Sequence, residues 1–107
     1  MADSEREFIP VAKTAEIPPG ERLVIELGRR WVVIFNVDGE FYAVEDECTH
    51  EEVPLSEGAL DGHIIECHKH GACFDIRTGA VTAPPAVVPV RTFPLRVEGG
   101  QLLIAKK

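Results

Sequence analysis

Residues 48–71 read CTHEEVPLSEGALDGHIIECHKHG, and both ends of this stretch carry the same two kinds of side chain. The first end supplies Cys48 and His50 in a C-x-H pattern, and the second supplies Cys67 and His70 in a C-x-x-H pattern. Sixteen residues separate His50 from Cys67. Thiolates suit zinc, copper(I) and iron–sulfur sites, whereas imidazole suits zinc and iron. The stretch therefore predicts two loops that each bring one sulfur and one nitrogen ligand to a shared metal centre.

The sequence around this stretch is typical of short β-strands separated by turns. Asp38-Gly39 predicts a tight hairpin, because both turn positions need positive φ. No helical period is sustained, and the nearest candidate, Glu47–Leu55, is interrupted by Pro54. Content of β-branched and aromatic residues predicts strands over Arg22–Leu27, Trp31–Val37, Phe41–Val44, His63–Glu66, Phe74–Ile76, Val87–Thr92, Leu95–Val97 and Gln101–Ala105. We expect an all-β fold, a small antiparallel β-sandwich or barrel, in a single domain covering residues 1–107.

Charge excludes several classes of partner. The formal net charge of the 107-residue chain is -7, which argues against binding nucleic acid or an anionic lipid surface. No Lys or Arg occurs between Arg30 and Lys69. That interval is either a solvated acidic face or a surface that steers a basic partner. Its acidic residues are Asp38, Glu40, Glu45, Asp46, Glu47, Glu51, Glu52, Glu57, Asp61 and Glu66.

Targeting and redox features indicate a cytoplasmic location. No apolar run approaches the ~20 residues of a transmembrane helix. The N-terminal sequence MADSEREF is polar and acidic and lacks the pattern of a secretory signal. Three cysteines are an odd number for a disulfide framework, so reduced thiols or metal ligands are expected.

The ligand residues alone leave two kinds of metal centre open. A Cys₂His₂ set could form a tetrahedral structural zinc site. The spacing differs from the usual zinc finger, which pairs C-x-x-C with a separate pair of histidines. Alternation of Cys and His along the chain suits a two-metal cluster with different ligands at its two ends.

The whole pattern, C-x-H followed after sixteen residues by C-x-x-H-G, resembles the Rieske family. Three further segments are similar to that family: the link Pro54–Gly58, the strand and turn Phe74–Gly79, and the proline loop Ala83–Ala86 that covers the cluster. The resemblance implies a Rieske-type fold with a cluster-binding subdomain of about residues 45–86, formed by two ligand loops. It also implies one [2Fe–2S] cluster per chain. In that family Cys48 and Cys67 would hold the inner iron, and His50 and His70 the outer iron.

Four positions differ from the high-potential members of the family. Val53 and Lys69 stand where those members place the cysteines of a disulfide. Ala72 and Phe74 stand where they place a Ser and a Tyr that donate hydrogen bonds to the cluster sulfurs. Because such bonds stabilise the more negative reduced state, their absence predicts a low potential. The resemblance is therefore to the ferredoxin-type branch.

The function implied by the resemblance is electron transport without catalysis. The expected donor is an NAD(P)H-dependent flavin reductase, and the expected acceptor is a terminal non-haem iron oxygenase. The sequence holds no nucleotide-binding glycine fingerprint, so the chain is not expected to oxidise NADH itself. Two alternatives stay open: the small subunit of an assimilatory nitrite reductase, and a zinc-stabilised interaction module without redox activity.

The remaining histidines and Cys73 receive structural interpretations. His68 could compete with His70 as a ligand, but the C-x-x-H register favours His70. His63 is expected on a surface strand and Cys73 as a thiol on a strand. The aromatic residues Trp31, Phe35, Phe41 and Tyr42 are expected in the core or in strand pairing.

Overall fold

The computed structural model describes residues 7–48, 53–68 and 71–105. Eleven strands are found in these ranges, with two short 3₁₀ turns at Thr14–Glu16 and Leu55–Glu57. No helix within the described ranges is long and apolar enough to cross a membrane. The predicted all-β class is confirmed.

The strands form three antiparallel sheets. The strands are β1 (Phe8–Lys13), β2 (Arg22–Leu27), β3 (Arg30–Val37), β4 (Glu40–Glu45), β5 (Ala59–Asp61), β6 (Ile64–Glu66), β7 (Cys73–Asp75), β8 (Val81–Ala83), β9 (Thr92–Phe93), β10 (Leu95–Glu98) and β11 (Gln101–Ala105). The outer sheet has the order β1-β11-β10, the central sheet the order β2-β3-β4-β9, and the small sheet the order β5-β6-β7-β8.

The central sheet contributes side chains to two cores, one on each face. Successive side chains of a strand point to opposite faces, so alternate residues enter different cores. On β3, Val33 and Phe35 enter one core while Val32 and Ile34 enter the other. The second core, shared with the outer sheet, contains Ile17, Leu27, Val32, Ile34, Ala43, Phe93, Leu102 and Ile104. The first, which we name the thiol core, contains Val33, Phe35, Val44, Cys48, Leu55, Ile65, Cys67, Ala72, Phe74, Ile76, Ala86 and Val90.

The hairpin between β3 and β4 forms as predicted. Asp38 has φ 53° and Gly39 has φ 92°, so both turn positions adopt the left-handed conformation. The buried Asn36 stabilises the turn, since its side-chain oxygen accepts from the Gly39 N–H at 2.8 Å and its amide donates to the Ile17 carbonyl at 2.7 Å.

The predicted strand over Val87–Thr92 is wrong. Only Thr92 and Phe93 form a strand there, and the preceding residues lie in a loop. Its β-branched residues are typical of a strand, but Pro89 has no N–H to donate to a ladder. Val87 is 86% exposed instead of packed in a sheet.

Further details differ from the sequence predictions. His63 lies in a turn, and strand β6 begins one residue later, at Ile64. Trp31 pairs with Glu26 in the sheet, as expected, but its side chain is 56% exposed and so is not part of the core. The short strands β5 and β8, and the first strand β1, were not expected from the sequence.

Candidate metal centre

Cys48 and Cys67 each follow a strand and begin a loop. Cys48 lies three residues beyond β4, and Cys67 comes directly after β6. The two loops are closed in the same way, by a cysteine N–H that donates to a carbonyl five residues further along. These bonds are Cys48 N to Val53 O at 2.8 Å and Cys67 N to Ala72 O at 2.7 Å. The second loop is tightened by a further bond, from Gly71 N to Cys67 O at 3.1 Å.

Both sulfur-bearing residues are buried in the thiol core. Cys48 and Cys67 are each 1% exposed and belong to the same cluster of packed side chains. Two similar loops thus bring two thiols into one interior region, which is the arrangement that the sequence pattern predicts for the sulfur ligands.

The predicted nitrogen ligands cannot be placed. His50 and His70 lie outside the described residues, as do Glu51, Glu52 and Lys69. By sequence, both histidines fall inside the two closed spans, 48–53 and 67–72. The complete ligand set therefore stays a prediction.

His68 is described, and it is directed toward solvent. Its residue is exposed, and its Nε2 atom lies 3.9 Å from Oε1 of Glu57, which is itself an exposed residue. This outward position agrees with the sequence argument that His68 is not the ligand of the second loop.

Cys73 lies on strand β7, as expected for a strand thiol. Burial raises the pKa of the Cys73 thiol, and the charges of Glu66 and Cys67 raise it further. The protonated thiol donates to the Gly71 carbonyl at 3.4 Å. The Cys73 thiol thus has a backbone hydrogen-bond partner, and Cys73 is not among the residues of the thiol core.

The segment that contains the proline loop packs against the thiol core through Ala86 and Val90. Ala86 is 4% exposed and belongs to that core, whereas its neighbours Pro85 and Val87 are exposed. The loop is closed at its base, because Val90 N donates to the Gly79 carbonyl at 2.9 Å. The expected position of this loop beside the thiols is consistent with Ala86 sharing their core.

Ala72 and Phe74 are fully buried in the same core as the two thiols. Neither side chain can donate a hydrogen bond, so we expect a reduction potential near the low end of the family range of about −150 to +300 mV. Ala72→Ser and Phe74→Tyr should each raise the potential, because a new hydroxyl near the sulfurs stabilises the reduced state. Protein-film voltammetry on the parent and on both variants measures this. A parent value near the top of the range would show that backbone donors or burial dominate.

A set of side chains that the sequence pattern does not predict stabilises the chain around the first loop. Ser56 donates from its backbone N–H to Oδ1 of Asp46 at 2.6 Å and from its hydroxyl to Oδ2 at 2.8 Å. Arg22 donates to the carbonyls of Ser56 and Gly58 from strand β2. These contacts join residues that are distant in the sequence, and no local pattern announces them.

The donor set fits an iron–sulfur cluster. Two buried thiols on similarly closed loops are soft donors, and the sequence predicts one imidazole from each span as the nitrogen ligands of a mixed Cys₂His₂ cluster. Among the described residues alone, no group of three or more His, Cys, Asp or Glu side chains could hold a metal ion. Cys48 and Cys67 share one buried region, and the assignment of all four ligands stays a prediction.

Comparison with known proteins gives consistent matches over most of the chain. The family model described as "Rieske [2Fe-2S] domain" matches residues 7–94. The chain is 46% identical over 98 residues to the biphenyl dioxygenase ferredoxin subunit of Pseudomonas sp. (strain KKS102), covering 91% of this chain and 90% of that protein. It superposes with a TM-score of 0.88 and 34% identity on a chain from the complex of reduced oxygenase and oxidized ferredoxin in carbazole 1,9a-dioxygenase, covering 96% of each. It also superposes on Sphingomonas yanoikuyae B1 ferredoxin with a TM-score of 0.86 and 35% sequence identity, covering 92% of this chain and 98% of that ferredoxin.

Fold and site together define a small all-β electron-transfer protein with a metal centre between two cysteine-bearing loops. The chain belongs to the Rieske [2Fe–2S] domain family. Its cofactor is accordingly a [2Fe–2S] cluster, as predicted, and the zinc alternative is set aside. Like its relatives it is an electron-transfer component and not a catalytic enzyme.

Proposed function

We propose that this ferredoxin carries single electrons from an NAD(P)H-dependent flavin reductase to the terminal non-haem iron oxygenase of an aromatic-ring dioxygenase system in the cytoplasm. The observation that carries the proposal is the pair of similarly closed loops with two buried thiols, in a chain related to dioxygenase ferredoxins along most of its length. The relatives named as ferredoxin components favour this role over the nitrite reductase subunit.

The proposed ligands are Cys48 and Cys67 on the inner iron and His50 and His70 on the outer iron. When bound, the cluster accepts one electron from the donor and releases it to the acceptor. The chain's own residues close the two loops by backbone hydrogen bonds and exclude water from the two thiols. We further propose one domain covering residues 1–107, with the cluster-binding part at about 45–86.

The cluster content is the first test of this proposal. The purified protein should be red-brown and contain about two iron and two acid-labile sulfide per chain. It should be reduced in stopped-flow experiments by a flavin reductase with NADH and re-oxidised by a terminal oxygenase. Protein made with adequate iron that contained one zinc and no sulfide would contradict the proposal.

Exposed carboxylates flank both loops and support an electrostatically assisted encounter. Glu47 precedes Cys48, Glu66 precedes Cys67, and Glu57 lies on the turn between the loops; all three are exposed. Electron transfer with the true partner should therefore slow as ionic strength rises and the Debye length shrinks to ~8 Å at 0.15 M.

A pair of double variants tests this charge effect. Glu51→Gln with Glu52→Gln should reduce the association rate at low salt by about tenfold, within the usual range of electrostatic steering. Glu7→Gln with Glu98→Gln removes the same charge near and on the outer sheet and should change the rate little. Equal effects of the two pairs, or rates independent of salt, would show that the acidic block is only a solvated face.

A further inference from the structure

The 3₁₀ turn Leu55–Glu57 lies in the sequence between the two cysteine-bearing loops, and it is anchored in the interior. Leu55 is fully buried and packs in the thiol core with Cys48 and Cys67. The turn closes through the Gly58 N–H, which donates to the Leu55 carbonyl at 2.9 Å. A movement of this turn would therefore disturb the packing around both thiols.

One side of the turn is tied to the chain just before Cys48. Both oxygens of Asp46 accept from Ser56, one from its N–H at 2.6 Å and the other from its hydroxyl at 2.8 Å. The Asp46 N–H in turn donates to the Trp31 carbonyl on β3 at 2.8 Å. The entry to the first loop, the turn and the central sheet are thus connected through one residue, Asp46, by its carboxylate and its backbone N–H.

The other side of the turn lies against the chain just before Cys67. A Cβ atom added to Gly58 would overlap the carbonyl oxygen of Glu66, so the two backbones are in close approach. Ala59, the next residue, pairs with Glu66 in the β5–β6 ladder. The turn therefore spans the distance between the entries of the two loops.

Arg22 holds the outer surface of this turn from the central sheet. Its half-buried guanidinium donates to the Ser56 carbonyl at 3.0 Å and to the Gly58 carbonyl at 2.9 Å, and it stacks over the Phe35 ring at 5.0 Å. Hydrogen bonds from a charged donor are among the stronger ones in proteins. Stacking on Phe35, itself in the thiol core, fixes the direction of the guanidinium.

We propose that the turn Leu55–Gly58 is a spacer that sets the separation of the two ligand loops, and that Arg22, Asp46 and Ser56 are its positioning residues. The inference rests on the proposed role of Cys48 and Cys67 as cluster ligands. By fixing the spacer, these side chains keep the two thiols at the separation that the cluster needs.

Arg22 is tested with three variants of the cluster-loaded protein. Arg22→Met keeps an unbranched stem and removes the donors, whereas Arg22→Lys keeps the charge and one donor group. Arg96→Met is the matched control, because Arg96 also stacks on a ring, that of Phe8 at 4.1 Å, but lies on β10 in the outer sheet. Arg22→Met should release iron to a chelator about tenfold faster, since charged hydrogen bonds contribute at least that factor. Arg22→Lys should recover part of the loss, and Arg96→Met should match the parent.

Asp46 offers a second test in which the charge change is equal. Asp46→Asn and Asp46→Ala both remove one negative charge, but only asparagine keeps an oxygen that can accept from the Ser56 N–H. The alanine variant should show a broadened or shifted electron paramagnetic resonance spectrum of the reduced cluster, and the asparagine variant should resemble the parent. Identical spectra of the two variants would overturn the positioning role.

Amide hydrogen exchange separates this proposal from the proposed function. Arg22→Met should accelerate exchange within residues 53–58, with the outer sheet unchanged. If the parent binds no cluster, the function fails but this local effect remains. If the exchange rate rises equally in all segments of the protein, or if Arg22→Met exchanges and releases iron at the same rates as Arg96→Met, the positioning role is overturned.

Discussion

Replacing His70 by alanine is expected to yield a protein without the visible absorption of the cluster, because one iron loses half of its protein ligands. Replacing His68 by alanine should leave the spectrum nearly unchanged. His68 is exposed, its Nε2 atom lies 3.9 Å from Oε1 of Glu57, and the C-x-x-H register favours His70 as the ligand. Visible absorption and iron content of both variants, purified in parallel, measure the difference.

Cys73→Ala serves as the control for the sulfur ligands. Its thiol donates to the Gly71 carbonyl, so the variant should keep its colour. Cys67→Ala should lose it. A colourless His68→Ala protein beside a coloured His70→Ala protein would reverse the assignment of the second histidine.

The ligand loops could be predicted because their information is local. A thiol and an imidazole two or three residues apart, repeated once, predict a mixed sulfur and nitrogen metal site without any knowledge of the fold, and the family resemblance then favours an iron–sulfur cluster over zinc. The Asp38-Gly39 hairpin also depends on local sequence, because both of its turn residues tolerate the positive φ values that the turn requires. The hairpin agrees with its prediction, and Cys48 and Cys67 are buried in one core, while the ligand assignment stays a prediction.

The parts that the sequence could not predict depend on distant contacts. Arg22 reaches the carbonyls of Ser56 and Gly58 across more than thirty residues of chain. Val87 is β-branched and is typical of a strand, yet it lies exposed directly after the proline loop, while its neighbour Ala86 is buried in the thiol core. Which of two adjacent apolar residues is buried depends on the surface that the loop covers, and this is set by tertiary packing.

Gly58 shows how closely the two loop entries are packed. Its φ is -86°, which any residue can adopt, so glycine is not needed there for conformational freedom. It is needed because a Cβ atom would overlap the Glu66 carbonyl oxygen and lie 3.0 Å from its carbon. Glu66 cannot yield easily, since β6 is paired on both sides, with β5 and with β7, and Cys67 follows it directly.

Gly58→Ala is therefore expected to destabilise the folded, cluster-loaded protein by about 3 kcal/mol or more, the upper part of the range for overpacked sites. Gly62→Ala is the control: Gly62 has φ 62° and no atom within 4 Å of an added Cβ, so only backbone strain of about 1–2 kcal/mol is expected. The denaturant concentration at which the visible absorption is lost measures both. If the two variants lost their absorption at the same concentration, the backbones of Gly58 and Glu66 would have room to separate. The spacing of the two thiols would then not depend on the close approach of these backbones.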